Sequence, residues 1–242
     1  MIRASSIALA AAITLSSTLV SPPALAQDNV AARIAAYRER VERLEDQVAI
    51  ENLQAMYGYY FDKGLWTQVA DLFARGGTFE YGQRGVYEGR ERIARALLLF
   101  GPEGLGPARL NNHMQLQNVV AVAPDGRTGT GRWQGMVMLS EPGANAVWGV
   151  GIYENTYVKE GNTWKIASLH FYPVGFTDYD KGWAHSQLPM DGPSALFPPD
   201  RPPSEVYRAL PSNYIPPFSF RHPVTGEEII VTQPADDIVG RQ

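Results

Sequence analysis

The chain has 242 residues, 45% of them hydrophobic, no cysteine and a formal net charge of −4. That balance lacks the basic face a nucleic-acid binder needs, and the core must hold without disulfides. The length suits one domain with extensions rather than two full domains.

Arg3 precedes an alanine- and leucine-rich run at residues 7–20, which ends at Ser21-Pro22-Pro23 and an A-x-A sequence, Ala24-Leu25-Ala26. This is the pattern of a cleavable secretory signal over residues 1–26, with export to a periplasm or beyond and a mature chain starting at Gln27. The run is too short for a bilayer span, and no later segment is long and apolar enough for one.

Residues 28–63 read as helix, in two parts. Ile34, Tyr37, Val41, Leu44 and Val48 form one apolar stripe. It is expected to pack on the body of its own subunit, because the run is short for an intermolecular helix pair. The alternative is a partner helix in a homo-oligomer, a dimer or trimer. The stripe then shifts to Ile50, Leu53, Tyr57 and Phe61, and Gly64 ends the helix. Residues 66–73 read as a second short helix, 78–81 as a strand, 91–100 as a helix and 101–107 as a Gly/Pro loop. Four strands follow at 112–123, 128–140, 146–159 and 163–172, with turn chemistry at 124–126, 141–143 and 160–162. Helices followed by hairpin-linked strands predict an α+β fold with one curved antiparallel sheet.

The texture changes near Gly182. Eleven of the 18 prolines lie between Pro189 and Pro234, which excludes a regular helix or a central strand. The same stretch holds Trp183, Phe197, Tyr207, Tyr214 and Phe218, more aromatic surface than a disordered tail carries. Residues 183–242 are expected to form an extended arm laid on a surface.

Several pieces together carry a family resemblance: Ile50-Glu51-Asn52-Leu53, Tyr57, Asp62, Trp66, Leu72-Phe73 and Thr78-Phe79; then Gly85 to Ile93, Asn112-His113 and Trp164-Lys165-Ile166. In this order, over roughly residues 46–180, they resemble SnoaL-like domains of the nuclear transport factor 2-like superfamily. The resemblance implies a cone-shaped α+β barrel, a bent sheet wrapped around helices with an apolar pocket between them. It divides the chain into a signal (1–26), a helical extension (27–45), the SnoaL-like domain (46–182) and the arm (183–242). Asp62, Trp66 and His113 match the scytalone dehydratase branch, where Phe61 replaces a tyrosine and strand 128–140 lacks that branch's second catalytic histidine.

The candidate site follows from these positions. His113 either transfers protons, since imidazole titrates near neutral pH, or is a hydrogen-bonded structural residue beside Asn111 and Asn112. Asp62 either orients His113 or acts as a base, or it only ends a helix in an ordinary Asp-Lys-Gly turn. His170 shares strand parity with Trp164, Ile166 and Ser168, which places it on their sheet face. It is either a second acid/base group or a packing residue under the arm. Tyr57, Phe61 and Trp66 are expected to contact substrate. A symmetric 141–143 hairpin would put Arg132, Gln134, Met136 and Met138 with Tyr153 and Asn155 on a mixed pocket face. Trp133, Val137 and Leu139 would then share an apolar face with Trp148, Val150 and Ile152.

No phosphate-binding loop, nucleophile elbow, H-E-x-x-H or dinucleotide fingerprint occurs, and four scattered histidines give no metal-ligand spacing. No cofactor and no metal are expected. The expected function is a cofactor-independent lyase or dehydratase of a small apolar aromatic alcohol. Resemblance to the diarylpropane lyases of aromatic catabolism implies loss of water and formaldehyde from a lignin-derived diaryl dimer through a quinone methide. Acid, base and phenol contacts would come from His113, from Asp62 or His170, and from Tyr57 or Arg132. The alternatives are an isomerase or cyclase of a steroid- or polyketide-like ligand, and a non-catalytic periplasmic binding protein.

Overall fold

Helix α1 (Ala24–Asp62) runs for 39 residues without the interruption expected from its shift of stripe. It opens the computed structural model, which describes residues 24–144 and 146–234. The expected signal, residues 1–26, lies almost wholly outside the described residues. The chain divides into two units, one ending at Val41 and the other beginning at Glu42. Ile34, Tyr37 and Val41 are exposed in the first, and Leu44 and Val48 in the second. Within the second unit, Leu44 and Val48 therefore do not pack on the sheet as expected. Burial on α1 begins at Asp46 and Ile50, where the second stripe turns to the sheet.

In the second unit the order after α1 is α2 (Trp66–Asp71), β1 (Phe73–Tyr81), β2 (Val86–Glu88), α3 (Arg90–Leu97), a 3-10 turn (Leu98–Phe100), then β3 (Leu110–Val122), β4 (Thr128–Ser140), β5 (Val147–Glu160) and β6 (Thr163–Asp178). They form an α+β cone whose single six-stranded sheet runs β2-β1-β6-β5-β4-β3. All neighbours are antiparallel except β1 and β6, which are parallel. Strand β1 starts five residues earlier than its composition suggests. Phe73 pairs with Ile166, and its carbonyl accepts from Arg90 Nε at 2.7 Å.

The concave face buries Ile50, Leu53, Tyr57 and Phe61 of α1 against Trp133, Tyr153, Tyr157 and Phe171. A polar thread crosses this core. Gln54 donates to Gln115 at 2.8 Å and accepts from Asn155 and from the Tyr157 hydroxyl, each at 2.9 Å. Such a satisfied network fixes the rotation of α1 in a way apolar contacts alone do not. Glycine makes room for the aromatic rings. A Cβ on Gly151 would lie 2.2 Å from Phe171 Cζ.

Two expectations about faces fail here. The β4–β5 hairpin pairs Leu139 with Val147 and Arg132 with Glu154, one residue away from the pairing that would set Arg132 opposite Tyr153. A one-residue shift exchanges faces. Trp133 now sits with Tyr153 and Asn155 on the concave face, and Arg132 and Gln134 lie opposite Glu154 and Ile152 on the convex one. In β6, Ile166 pairs with Tyr157 but Ser168 with Thr156, so a bulge at Ala167 reverses the parity. His170 is therefore convex, while Trp164, Ile166, Leu169 and Phe171 are concave.

Residues 204–218 of the arm lie on that convex face. The Ser204 backbone and hydroxyl donate to the two oxygens of Glu80 at 2.8 and 2.7 Å, and Tyr207 stacks on Tyr214. Asp200 pairs with Arg92 at 2.9 Å, and Phe197 stacks on Tyr87. Arg132 pairs with Glu154, donates to the Pro217 carbonyl and underlies the Phe218 ring.

Candidate active site

Asp62 is the last residue of α1, and Gly64 adopts φ +63° immediately after it. Only glycine takes that conformation without cost, and a Cβ there would also meet the Gly104 backbone at 3.0 Å. The chain thus leaves the helix in one direction, and Asp62 is held against the start of β3. Asn111 donates to the carbonyls of Phe61 and Asp62 at 3.1 and 3.3 Å, which caps the helix end.

Two residues on, His113 completes the contact. Its backbone N–H donates to Asp62 Oδ1 at 2.7 Å, and its Nδ1 lies 3.2 Å from the same oxygen. Both residues are buried, at 4% and 8% exposure. A carboxylate oxygen accepts, so the contact assigns the donor role to Nδ1 and leaves Nε2 as the ring nitrogen turned away from Asp62. Phe61 stands edge-on to the imidazole at 4.7 Å and packs against Trp66 and Phe100. Trp66 Nε1 donates to the Gly101 carbonyl at 3.0 Å and fixes the loop behind this aromatic wall.

His113 opens onto a cavity of about 320 Å³ between the sheet and the first residues of the arm. Tyr81, Phe100, Leu139, Val147 and Phe176 supply its apolar wall, and Arg84, Arg109 and Asn111 its polar one. Burial pushes the Tyr81 phenol well above its ordinary range, so it holds its proton at neutral pH. Leu188 to Asp191 of the arm close one side. Among the described residues no cluster of His, Cys, Asp and Glu could hold a metal ion.

Of the residues singled out by sequence, the structure brings Asp62, His113, Phe61 and Trp66 together. Tyr57 and Tyr153 lie deeper in the core, edge-on to each other at 6.1 Å. The Tyr57 hydroxyl is buried beside Tyr153, and burial pushes its pKa well up. Arg132, Gln134 and His170 are on the other face of the sheet and do not reach the cavity. His170 stacks on Tyr172 at 3.7 Å and lies 3.4 Å from Glu80. Arg84, Arg109 and Tyr81 escaped the sequence reading. The two arginines sit in a turn and a loop, where no periodicity marks the inward side. Tyr81 ends a strand whose parity was set by its neighbours only after pairing.

A bent sheet around a helix, with a histidine–carboxylate pair at its cavity, defines a cone-shaped small-ligand-binding domain. The chain belongs to the SnoaL-like domain family, whose profile matches residues 42–170. No curated protein matches the sequence. Similar solved structures include a protein of Novosphingobium aromaticivorans assigned as a scytalone dehydratase, 19% identical, covering 64% of this chain and 97% of its own with a TM-score of 0.51. A type 2 hexachlorocyclohexane dehydrochlorinase is 18% identical and covers 57% of this chain and 92% of its own, with a TM-score of 0.50. At these identities the likeness establishes the fold.

Proposed function

We propose that this protein is a cofactor-independent lyase or dehydratase acting on a small aromatic or alicyclic alcohol. SnoaL-like domains are often cofactor-free dehydratases, isomerases or cyclases. The observation that carries the reading here is the buried Asp62–His113 pair on the wall of an aromatic-lined cavity. With Nδ1–H directed to Asp62, Nε2 is the basic atom, and the carboxylate stabilises the imidazolium that forms when it takes a proton. Nε2 removes a proton from the carbon next to the carbinol, a C=C bond forms, and the C–O bond breaks. The Tyr81 hydroxyl protonates the departing oxygen, which leaves as water. The imidazolium proton then returns to the Tyr81 oxygen through solvent, and both groups are restored.

For a lignin-derived diaryl dimer the sequence of steps differs. Tyr81 protonates the benzylic hydroxyl, the para-phenol returns a proton to the Tyr81 oxygen through solvent as it pushes water out, and a quinone methide forms. Nε2 takes the proton of the hydroxymethyl group, the C–C bond breaks, and formaldehyde leaves. The bonding electrons flow into the quinone methide to give a phenolate, which takes the imidazolium proton through solvent. Tyr81 then takes the acid place beside His113 that the sequence reading offered to Asp62 or His170. Incubation with benzylic alcohols and diaryl dimers, followed by alkene absorbance and formaldehyde release, tests both routes. Tight binding with no turnover of any of them would favour the binding-protein reading instead.

Export, with a mature chain beginning at Gln27, is proposed from residues 1–26 and is tested by the mass of the secreted protein. A second copy of the chain is proposed to cover Ile34, Tyr37, Val41, Leu44 and Val48, whose three–four spacing is that of a coiled-coil seam. Sedimentation of Val41→Asp beside the unaltered protein tests it.

A further inference from the structure

The cavity at His113 is unusually cationic for one so aromatic. Arg84 projects from the β1–β2 turn with its side chain only 17% exposed, and its guanidinium lies 4.6 Å from the centroid of Phe100 and 5.9 Å from that of Tyr81. Arg109 precedes β3 and donates through Nη2 to the Phe100 carbonyl at 3.4 Å. Both line the cavity that His113 lines, and Asp191 is the one carboxylate among its lining residues.

Those arginines are held by weak partners. Arg84 pairs with Asp191, whose side chain is 70% exposed, and Arg109 with Glu141, 57% exposed, at 3.0 Å. Ion pairs at such exposure contribute about 0–1 kcal/mol. A guanidinium flattened on an aromatic ring keeps its fork of donors in plane, which suits a planar, bidentate anion. The Arg84 turn is itself rigid. Arg84 N donates to the Tyr81 carbonyl at 3.1 Å, and Gly85, at φ +89°, has Pro199 of the arm where a Cβ would lie.

We infer that the substrate carries a carboxylate on its aromatic framework, and that this carboxylate takes Arg84 from Asp191. The arm's own acid thus occupies the anion position in the free protein. The ring then lies among Phe100, Tyr81 and Phe176, and Arg109 adds a second positive charge at the same wall. This deepens the proposed function, resting on the same cavity, and makes the alcohol an aryl-substituted hydroxy acid. Arg84 is a specificity residue here and takes no part in the proton transfers.

Binding separates the two readings because it needs no turnover. The probes are 3-phenylpropanoate and its neutral counterpart 3-phenylpropan-1-ol, titrated calorimetrically into the full chain. A charge-assisted contact of about 1.5–3 kcal/mol corresponds to a roughly ten- to hundredfold preference for the acid. Arg84→Gln should remove that preference and leave the alcohol's affinity in place. Arg84→Lys should restore only part of it. Asp191→Asn, on the exposed arm, should tighten the acid alone by removing its competitor. Equal affinities in the unaltered protein, a preference that survives Arg84→Gln with the melting temperature intact, or no binding of either probe would overturn the inference. A lost preference together with intact turnover of neutral alcohols would leave the proposed chemistry standing and refute only the substrate class.

Discussion

One oxygen of Asp62 holds His113 at two points, accepting from its backbone N–H at 2.7 Å and facing its Nδ1 at 3.2 Å. The backbone bond fixes where β3 begins and the side-chain contact fixes the tautomer. The helix end and the basic atom of the site are therefore set by the same group. A histidine serving only to pack would not require its ring nitrogen and its main chain to share an acceptor.

His113→Ala removes the basic atom but leaves the His113 backbone bond to Asp62 intact. Turnover should fall by about 10²–10⁴-fold, the usual effect of losing a positioned acid or base. The melting temperature should stay close to that of the unaltered protein. A melting temperature that collapses together with the activity would return His113 to a structural role.

Gly64→Ala tests the turn that presents Asp62. A non-glycine residue at φ +63° costs about 1–2 kcal/mol, and the 3.0 Å approach of the Gly104 backbone adds to it. Urea unfolding should show at least that loss, and residual activity should drop because the dyad shifts. Unchanged stability would mean the loop at Gly104 yields freely.

Much of this arrangement was readable before any pairing was known, and the failures have local causes. Strand β4 has the bounds its composition suggests, 128–140, because its alternation is unbroken. Asp62 and His113 were picked out through motif order, which survives insertions in the loops between them. The face assignments failed because parity is counted from a turn, and a one-residue offset in the β4–β5 pairing or a bulge at Ala167 inverts everything beyond it. The arginines of the cavity were invisible for a different reason. Loop side chains are aimed by tertiary contacts, such as Pro199 against Gly85, that no local pattern encodes.

His170 gives a pH dependence with a definite sign. Burial pushes its pKa from the ordinary 6.5 down to about 3, and its Nε2 is buried without a partner. The unfolded chain therefore binds a proton on this residue more readily than the folded one. Its contribution is fully present above pH 6.5 and is lost as the pH falls toward 3, with a slope of up to about 1.4 kcal/mol per pH unit. Glu80 and Glu154 face it across the sheet, and burial raises both, so they titrate in the opposite sense. Tyr172 stacked on His170, Arg132 beside Glu154, and Arg201, Glu205 and Tyr207 of the arm are further charged and titratable groups around them. The measurement is the difference between the unaltered protein and His170→Asn, by denaturant unfolding from pH 7 to pH 4. A difference that does not change with pH would show that His170 charges without resistance.

Truncation after Lys181 should do more than shorten the chain. Across β4, β5, β6 and β1, Arg132, Glu154, His170 and Glu80 lie in one register line on the convex face, each opposite the next. Ser204 satisfies both oxygens of Glu80, the Pro217 carbonyl accepts from Arg132, and Tyr207 and Tyr214 close over Tyr172. Each well-buried aromatic contributes about 1.5–3 kcal/mol, so losing this cover should lower the unfolding free energy by several kcal/mol. The same cut removes Leu188 to Asp191 from the wall of the cavity, so affinity for an aromatic probe should weaken as well. The arm's prolines reduce the entropy lost when it is laid down, which favours a bound strap over a mobile tail. Native-state hydrogen exchange should accordingly find the amides of Leu188, Arg201, Ser204 and Leu210, all hydrogen-bonded to the domain, protected in the full chain. Rapid proteolysis throughout residues 183–224, with melting temperature and probe affinity unchanged in the truncated protein, would reduce the arm to a tether.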